Sequence, residues 1–416
     1  SAVEIPPDLG RSFTRLLDRR AAALLSGDRV TFAQGLARSD ETFLIEQAAY
    51  FDNLRHLPIR ELSFDLDPRK LVRSGDDYWG VVEVTLQLAG FDREPVVTLD
   101  RYRFSPLGDN ARRFGLSSVT DAGWEARNDV SSQPWDTGPI QVRAGVGVLG
   151  IFDAESVRES DALIDSVERG IGDVAALVPY DWSRSVVVYA LSDTEFLSSI
   201  EDPPGGHPER LDGVAFPVEV SPTSDETAAT RFVLHPRMLD RARAERDRLV
   251  RHELTHVAMG EHDDHAPVWL SEGLAEYVSV RPLAPQDRMI ADTAIAAAKA
   301  GEITELPDDG TFNGADSAVH YSVAWWACEY LAGTFGQASL WTILDGFETT
   351  DAESGPDGDD TRLEDMTGIN SRTLARKAAK LMIATFDPGY DPTPQPTTEP
   401  TREPTTATDE PDVETD

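Results

Sequence analysis

Cysteine is almost absent from this chain. A single residue, Cys328, has no partner for an intramolecular disulfide, which excludes a disulfide-stapled scaffold and leaves the compartment open. Its setting, Ala324-Trp325-Trp326-Ala327-Cys328, is apolar and reads as core. Long hydrophobic runs are missing as well: nothing approaches the ~18 consecutive apolar residues that a membrane span needs. Basic residues are scarce, with 38 Lys and Arg against 74 Asp and Glu, a net charge of −36. A surface of that sign repels nucleic acid and anionic membranes, so neither is expected as a partner. Apolar residues, at 40%, are ordinary for a globular protein, and 416 residues suggest two domains and a tail.

The tail is expected at 387–416, where Pro, Thr, Asp and Glu dominate and Tyr390 and Val413 are the only large apolar side chains. Such a segment cannot bury enough surface to offset the entropy of ordering, so it is expected to be disordered. The chain opens with Ser1 and carries no signal peptide. Together with the Pro/Thr-rich tail this suggests a processed, exported chain, extracellular or in the cell envelope.

An α+β architecture is expected. In the first domain, 1–138, residues 11–26 space Phe13, Leu16, Leu17, Ala21, Leu24 and Leu25 as a helix, and Glu41 to Leu54 reads as another. From Val82 the period changes to two, with Val82, Val84, Leu86 and Leu88 on one strand face, and 95–104 and 112–119 continue as strands. The stretch 131–139 has the composition of a linker. The second domain, 139–386, starts with a strand at 140–152, a helix at about 154–176 and a strand at 185–190. A strand-like segment, 230–235, comes just before a long helix, and its backbone is a candidate to pair with an extended substrate.

That helix carries His252-Glu253-Leu254-Thr255-His256. Residues four apart share a helix face, so both imidazoles can bind one metal ion, with Glu253 beside it as a base. Four of the chain's eight histidines fall between 252 and 265, a concentration that points to a site. Two histidines leave a zinc peptidase one ligand short. Two candidates for the third are Glu272, on a helix starting at Pro267, and His262, at the last position of an H-E-x-x-H-x-x-G-x-x-H pattern. In that pattern Met259 stands where glycine belongs, which weakens His262. Glu276, one turn beyond Glu272, is placed to hydrogen-bond a ligand histidine. Further on, 351–360 is acidic but lacks calcium-loop spacing and reads as a solvated loop.

HELTH followed by WLSEGLAEY resembles the gluzincin zinc metallopeptidases, especially the bacterial peptidase MA-like group. The resemblance spans about 140–386, with its specific motifs between 252 and 277. It implies His252, His256 and Glu272 as Zn2+ ligands, Glu253 as catalytic base, and a helix bearing HExxH packed against a Glu-bearing helix. Tyr321, or else His320, would donate to the oxyanion. The gap from His256 to Glu272 is shorter than in aminopeptidase-N-type enzymes and no exopeptidase motif lies upstream, which favours an endopeptidase acting on a peptide or protein substrate. The order of elements over about 8–130 resembles the nuclear-transport-factor-2-like or cystatin-like fold, without a sharp motif. An alternative in a different class is a catalytically inactive peptidase-like scaffold that keeps the metal site for binding or structure.

Overall fold

A computed structural model describes residues 7–390 except 39, 109, 129, 131, 201–210 and 349–355. The expected disordered tail beyond Tyr390, and the first half of the acidic stretch at 351–360, lie outside the described residues. The second half of that stretch is not a loop: helix formation starts at Pro356. Asp387 and Tyr390 are not free tail either. Lys299 ion-pairs with Asp387, and the Tyr390 hydroxyl donates to the Lys299 carbonyl at 3.1 Å.

The first module sets helices α1 (Pro7–Ser26), α2 (Arg29–Gln34) and α3 (Glu41–His56) against strands β1 (Ile59–Leu66), β2 (Val72–Ser74), β3 (Asp77–Leu88), β4 (Val96–Leu107) and β5 (Asn110–Ser118). The strands are antiparallel in the order β1-β3-β4-β5, with β2 on β3. Gly27, at φ 72°, ends α1, and Asp28 caps α2 by accepting from the Thr31 amide. The alternation in β3 is as the sequence indicates: Val82, Val84, Leu86 and Leu88 are all buried. They pack with Phe13, Leu17 and Phe51 of the helices.

Two short helices, α4 (Ala122–Glu125) and α5 (Pro134–Thr137), lead into the second half. The described part of the expected linker, 132–139, is not open. Trp135 is buried, and the Asn53 side chain donates to the Trp135 and Gly138 carbonyls and accepts from the Ile140 amide. The single strand expected at 140–152 is a hairpin, β6 (Gln141–Gly145) and β7 (Val148–Phe152), turned at Gly147 with φ 75°. There a Cβ would sit 2.4 Å from the Arg184 carbonyl oxygen, so only glycine fits. Then follow α6 (Ser160–Ala175), β8 (Val186–Ala190), α7 (Glu195–Ser199), β9 (Gly213–Glu219) and β10 (Thr227–Leu234). The second sheet runs β6-β7-β8-β10-β9, parallel at β7/β8 and β8/β10 and antiparallel at both ends.

Both faces of this sheet are covered, which is why β7 and β8 are continuous apolar runs. Val148, Phe152, Val186, Val188 and Phe232 join the helical core of the second half. Leu149, Ile151, Val187, Tyr189, Val214 and Val233 join the core of the first module. At that joint Arg231 of β10 is buried with Asp92 from the β3–β4 turn, at 2.7 Å, and also donates to Tyr189 at 2.8 Å. Tyr189 in turn donates to Gln133. Helices α8 (Arg243–Met259), α9 (Val268–Val280), α10 (Asp292–Ala300), α11 (Ser317–Phe335), α12 (Ala338–Asp345), α13 (Pro356–Thr367) and α14 (Ser371–Phe386) complete an α+β chain. Cys328 is buried in α11. Among the described residues no helix is long and apolar enough to cross a membrane.

Candidate metal centre and cleft

Helix α8 runs beneath the second sheet, packed on α6 and α9 and touching β9. Gly260, at φ 57°, stops it, a tight turn at Gly260–Asp263 reverses the chain, and Pro267 starts α9 with the Val268 amide donating to Asp309. This doubling back brings Glu272 against the two histidines. His252 Nε2 lies 3.1 Å from Glu272 Oε2 and 3.4 Å from His256 Nε2, and His256 Nε2 lies 3.6 Å from Glu272 Oε2. Donors about 2.0–2.1 Å from a tetrahedral zinc ion are roughly 3.3 Å apart. Two imidazole nitrogens and a carboxylate oxygen at these separations fit zinc in both geometry and donor chemistry.

The outer nitrogens are braced. His252 Nδ1 is 3.2 Å from Glu276 Oε1, and Glu276 is itself held by Arg248 at 2.5 Å. His256 Nδ1 is 3.4 Å from Asp263 Oδ2, which also accepts from the Ser271 hydroxyl. Glu276 is legible in the sequence; Asp263 is not. Its position seven residues after His256, across a turn, has no helical spacing to reveal it.

Electrostatics at the site are dominated by carboxylates. Burial alone would deprotonate His252, but hydrogen bonds to Glu272 and Glu276 outweigh it and raise the imidazole to about 9. Burial works against His256 too, and Glu272 and Asp263 raise it well above its ordinary value. Burial pushes Glu272 and Glu276 up, yet the histidines lower Glu272, and Arg248 with His252 brings Glu276 to about 2. Glu253 differs. It is buried without a fixed cation, so desolvation raises its carboxyl, and its main hydrogen bond comes from the Ala215 amide of β9.

Tyr321, at the start of α11, reaches the same group: its ring is 6.2 Å from that of His252, and its hydroxyl donates to Glu272. Burial and the nearby carboxylates hold that phenol protonated. His320 points elsewhere, with Nδ1 2.7 Å from the Phe312 carbonyl oxygen, so it is not an alternative to Tyr321. His262 is not near the three ligand atoms either. Its ring stacks on Tyr180 at 3.8 Å and pairs with Glu348, in a separate group with Asp345. Gly273 lets α9 approach α11: a Cβ there would lie 2.5 Å from the Ala324 carbonyl oxygen and 2.9 Å from Cys328 Sγ. The two helices bearing Glu272 and Tyr321 are thereby locked together.

A cleft of about 510 Å³ opens onto these residues. Its walls include Gly213 to Pro217 of β9, the 181–185 loop, and Phe91 and Arg93 of the first module. The strand expected to pair with substrate, 230–235, cannot do so: β10 is interior, bonded to β8 and β9. The edge strand at the cleft is β9, unpaired on its outer side among the described residues, and Gly213 and Pro217 disguise it in the sequence. Proline is tolerated there because an edge strand has an outward phase that needs no N–H; Ala215, two residues earlier, spends its amide on Glu253. No protein family matches the chain, and no curated protein matches it.

Proposed function

We propose that the chain is a zinc-dependent metallopeptidase of gluzincin type, acting on peptide or protein substrate as an endopeptidase. The observation that carries this reading is the convergence of His252, His256 and Glu272 at zinc-like separations, with Glu253 and Tyr321 on the open side and the edge strand β9 beside them. The reading includes the fold, with 139–386 as a gluzincin-like unit and 1–138 as a nuclear-transport-factor-2-like module. The order of helices, sheet and paired site helices supports it.

Zinc bound by the three ligands would supply a Lewis acid that polarises a substrate carbonyl and acidifies water. The chain's own groups divide the remaining work. Glu276 and Asp263 fix the ring orientation of His252 and His256 and strengthen them as donors. Glu253, with its raised carboxyl, is poised to take a proton from water and to return it to the leaving amine. The Tyr321 phenol is placed to donate to the substrate oxygen as negative charge develops on it. With Pro217 lacking an N–H and the Ala215 amide held by Glu253, the β9 edge offers its outward carbonyls to extended substrate without reading its sequence.

The test is zinc analysis of the purified chain and of Glu272→Ala, with cleavage of a mixed peptide library by the wild type and Glu253→Gln. We expect about one zinc per chain at this site, lost in Glu272→Ala. Glu253→Gln should keep zinc and lose cleavage by about 10²–10⁴-fold. A chain that does not take up zinc overturns the reading, and so does cleavage that Glu253→Gln leaves intact.

A further inference from the structure

The first module supplies part of the cleft wall, and it does so through a firmly held turn. Between β3 and β4, Asp92 is buried on Arg231 and accepts from the Leu88 amide. The Arg93 amide donates to the Ala228 carbonyl, and Ser185 donates to the Gly90 carbonyl. The turn is thus fastened to β10 and to the 181–185 loop, with Phe91 and Arg93 facing the cleft.

Charge along the cleft is one-sided. Among the described residues Arg93 is the single Lys or Arg on its lining, against Asp181, Glu253, Glu261, Asp263, Asp264 and Glu272. Arg93 is already spent: its guanidinium meets Glu261 at 3.3 Å and the Thr227 carbonyl at 2.8 Å. Glu253, Glu272 and Asp263 belong to the candidate centre. Asp181 and Asp264 remain, and among the described residues neither has an ion-pair partner within 4.0 Å, the widest pair in the structure being 3.8 Å. Asp264 also has its carboxyl raised, by burial and by Asp263 and Glu261, so it gains from any cation brought near. Four aromatic residues line the same cleft: Tyr321 at the candidate centre, Phe216 of β9, and Phe91 and Trp182. Carboxylates beside aromatic faces suit a side chain with an apolar stem and a cationic head.

We propose that this cleft selects substrates with a lysine or arginine side chain near the bond to be cut, its stem against Phe91 and Trp182 and its charge met by Asp181 and Asp264. This rests on the peptidase reading for the word substrate, but the recognition itself is measurable by binding alone. The first module is then part of the specificity site, not an appendage.

The test uses three fluorescent peptides, identical except for lysine, norleucine or glutamate at one position. Their binding to the Glu253→Gln full-length chain is followed by anisotropy, and their cleavage by the wild type is followed in parallel. We expect the lysine peptide to bind about tenfold tighter than the norleucine peptide, with glutamate weakest. In Glu253→Gln carrying Asp181→Asn and Asp264→Asn that ratio should fall towards one. Those two substitutions change only two of 74 acidic groups, so a general attraction to the acidic chain would survive them. Equal binding of lysine and norleucine peptides overturns the proposal, as does a preference that the double substitution leaves unchanged. Lysine-selective binding without any cleavage would keep the recognition and sink the peptidase reading.

Discussion

The second sheet has a buried charged group on each side, and the two are built on opposite terms. On the side of the first module, Arg231 is met by Asp92 and Tyr189, one cation and one carboxylate closed off from water. On the side of α8, the carboxylates of Glu253, Glu272, Glu276 and Asp263 surround His252 and His256, and the one fixed cation among them, Arg248, is taken by Glu276. The first group is balanced within the chain, as a structural joint has to be, since an unpaired buried charge is costly. The second carries an excess of negative charge that raises both histidines, and a divalent cation would balance it. Buried charge that the chain itself neutralises marks architecture; buried charge left over marks a binding site.

Breaking the joint should have the largest effect. Asp92→Ala strands Arg231 and is expected to lower stability by about 3–5 kcal/mol in urea unfolding. Zinc content of the chain that remains folded should be unchanged, because the proposed ligands His252, His256 and Glu272 lie across the sheet; loss of zinc in proportion would erase the distinction between the two sides. Next comes the packing that holds the site helices. Gly273→Ala forces α9 away from α11 and should cost about 1–3 kcal/mol, with Tyr321 displaced and cleavage reduced. A fully stable, fully active variant would show that this close approach is not needed. Glu276→Gln sharpens the comparison from the other side: it weakens the brace on His252 and the pairing of Arg248, so zinc affinity measured by competition with a chelator should drop about 10–100-fold and the metal-free chain should also melt earlier.

A further effect concerns pH. Burial, with Asp136 and Glu125 nearby, raises Asp100 of β4 to about 7 despite Arg20. A carboxyl raised in the folded state binds more protons there than in the unfolded chain, so stability falls as pH climbs from its ordinary value of 3.8 to about 7. Asp100→Asn should flatten that slope and raise stability at pH 8. An unaltered slope would assign the proton uptake to another group, Asp136 being the nearest by its own rise to about 6.

Legibility in the sequence followed the range of the contacts. The histidine pair is local: positions 252 and 256 share a helix face by geometry, and Glu272 and Glu276 follow on a helix whose start is marked by Pro267. The strong period-two run at Val82–Leu88 was legible for the same reason. What was hidden depends on partners far along the chain. Strand β1 is the exception: Leu62-Ser63-Phe64-Asp65-Leu66 alternates and is open to the same period-two reading. Strand β9 is an edge and tolerates the glycine and proline that disguise it. The segment 131–139 looked like a linker because its composition is that of one. Its described part, 132–139, is ordered by Asn53, more than 80 residues away, and by burial of Trp135. Likewise nothing in Phe91 or Arg93 announces a cleft; only the docking of the first module on the second sheet puts them there.

The double-sided burial of β7 and β8 bears on how the chain comes apart. Either half, in leaving, would uncover one full apolar face of the same strands, so neither can melt without dismantling the support of the other. The halves are therefore expected to unfold as a single cooperative unit, with the backbone amides slowest to exchange with deuterium near the seam between them, in Val148–Phe152 and Val186–Ala190.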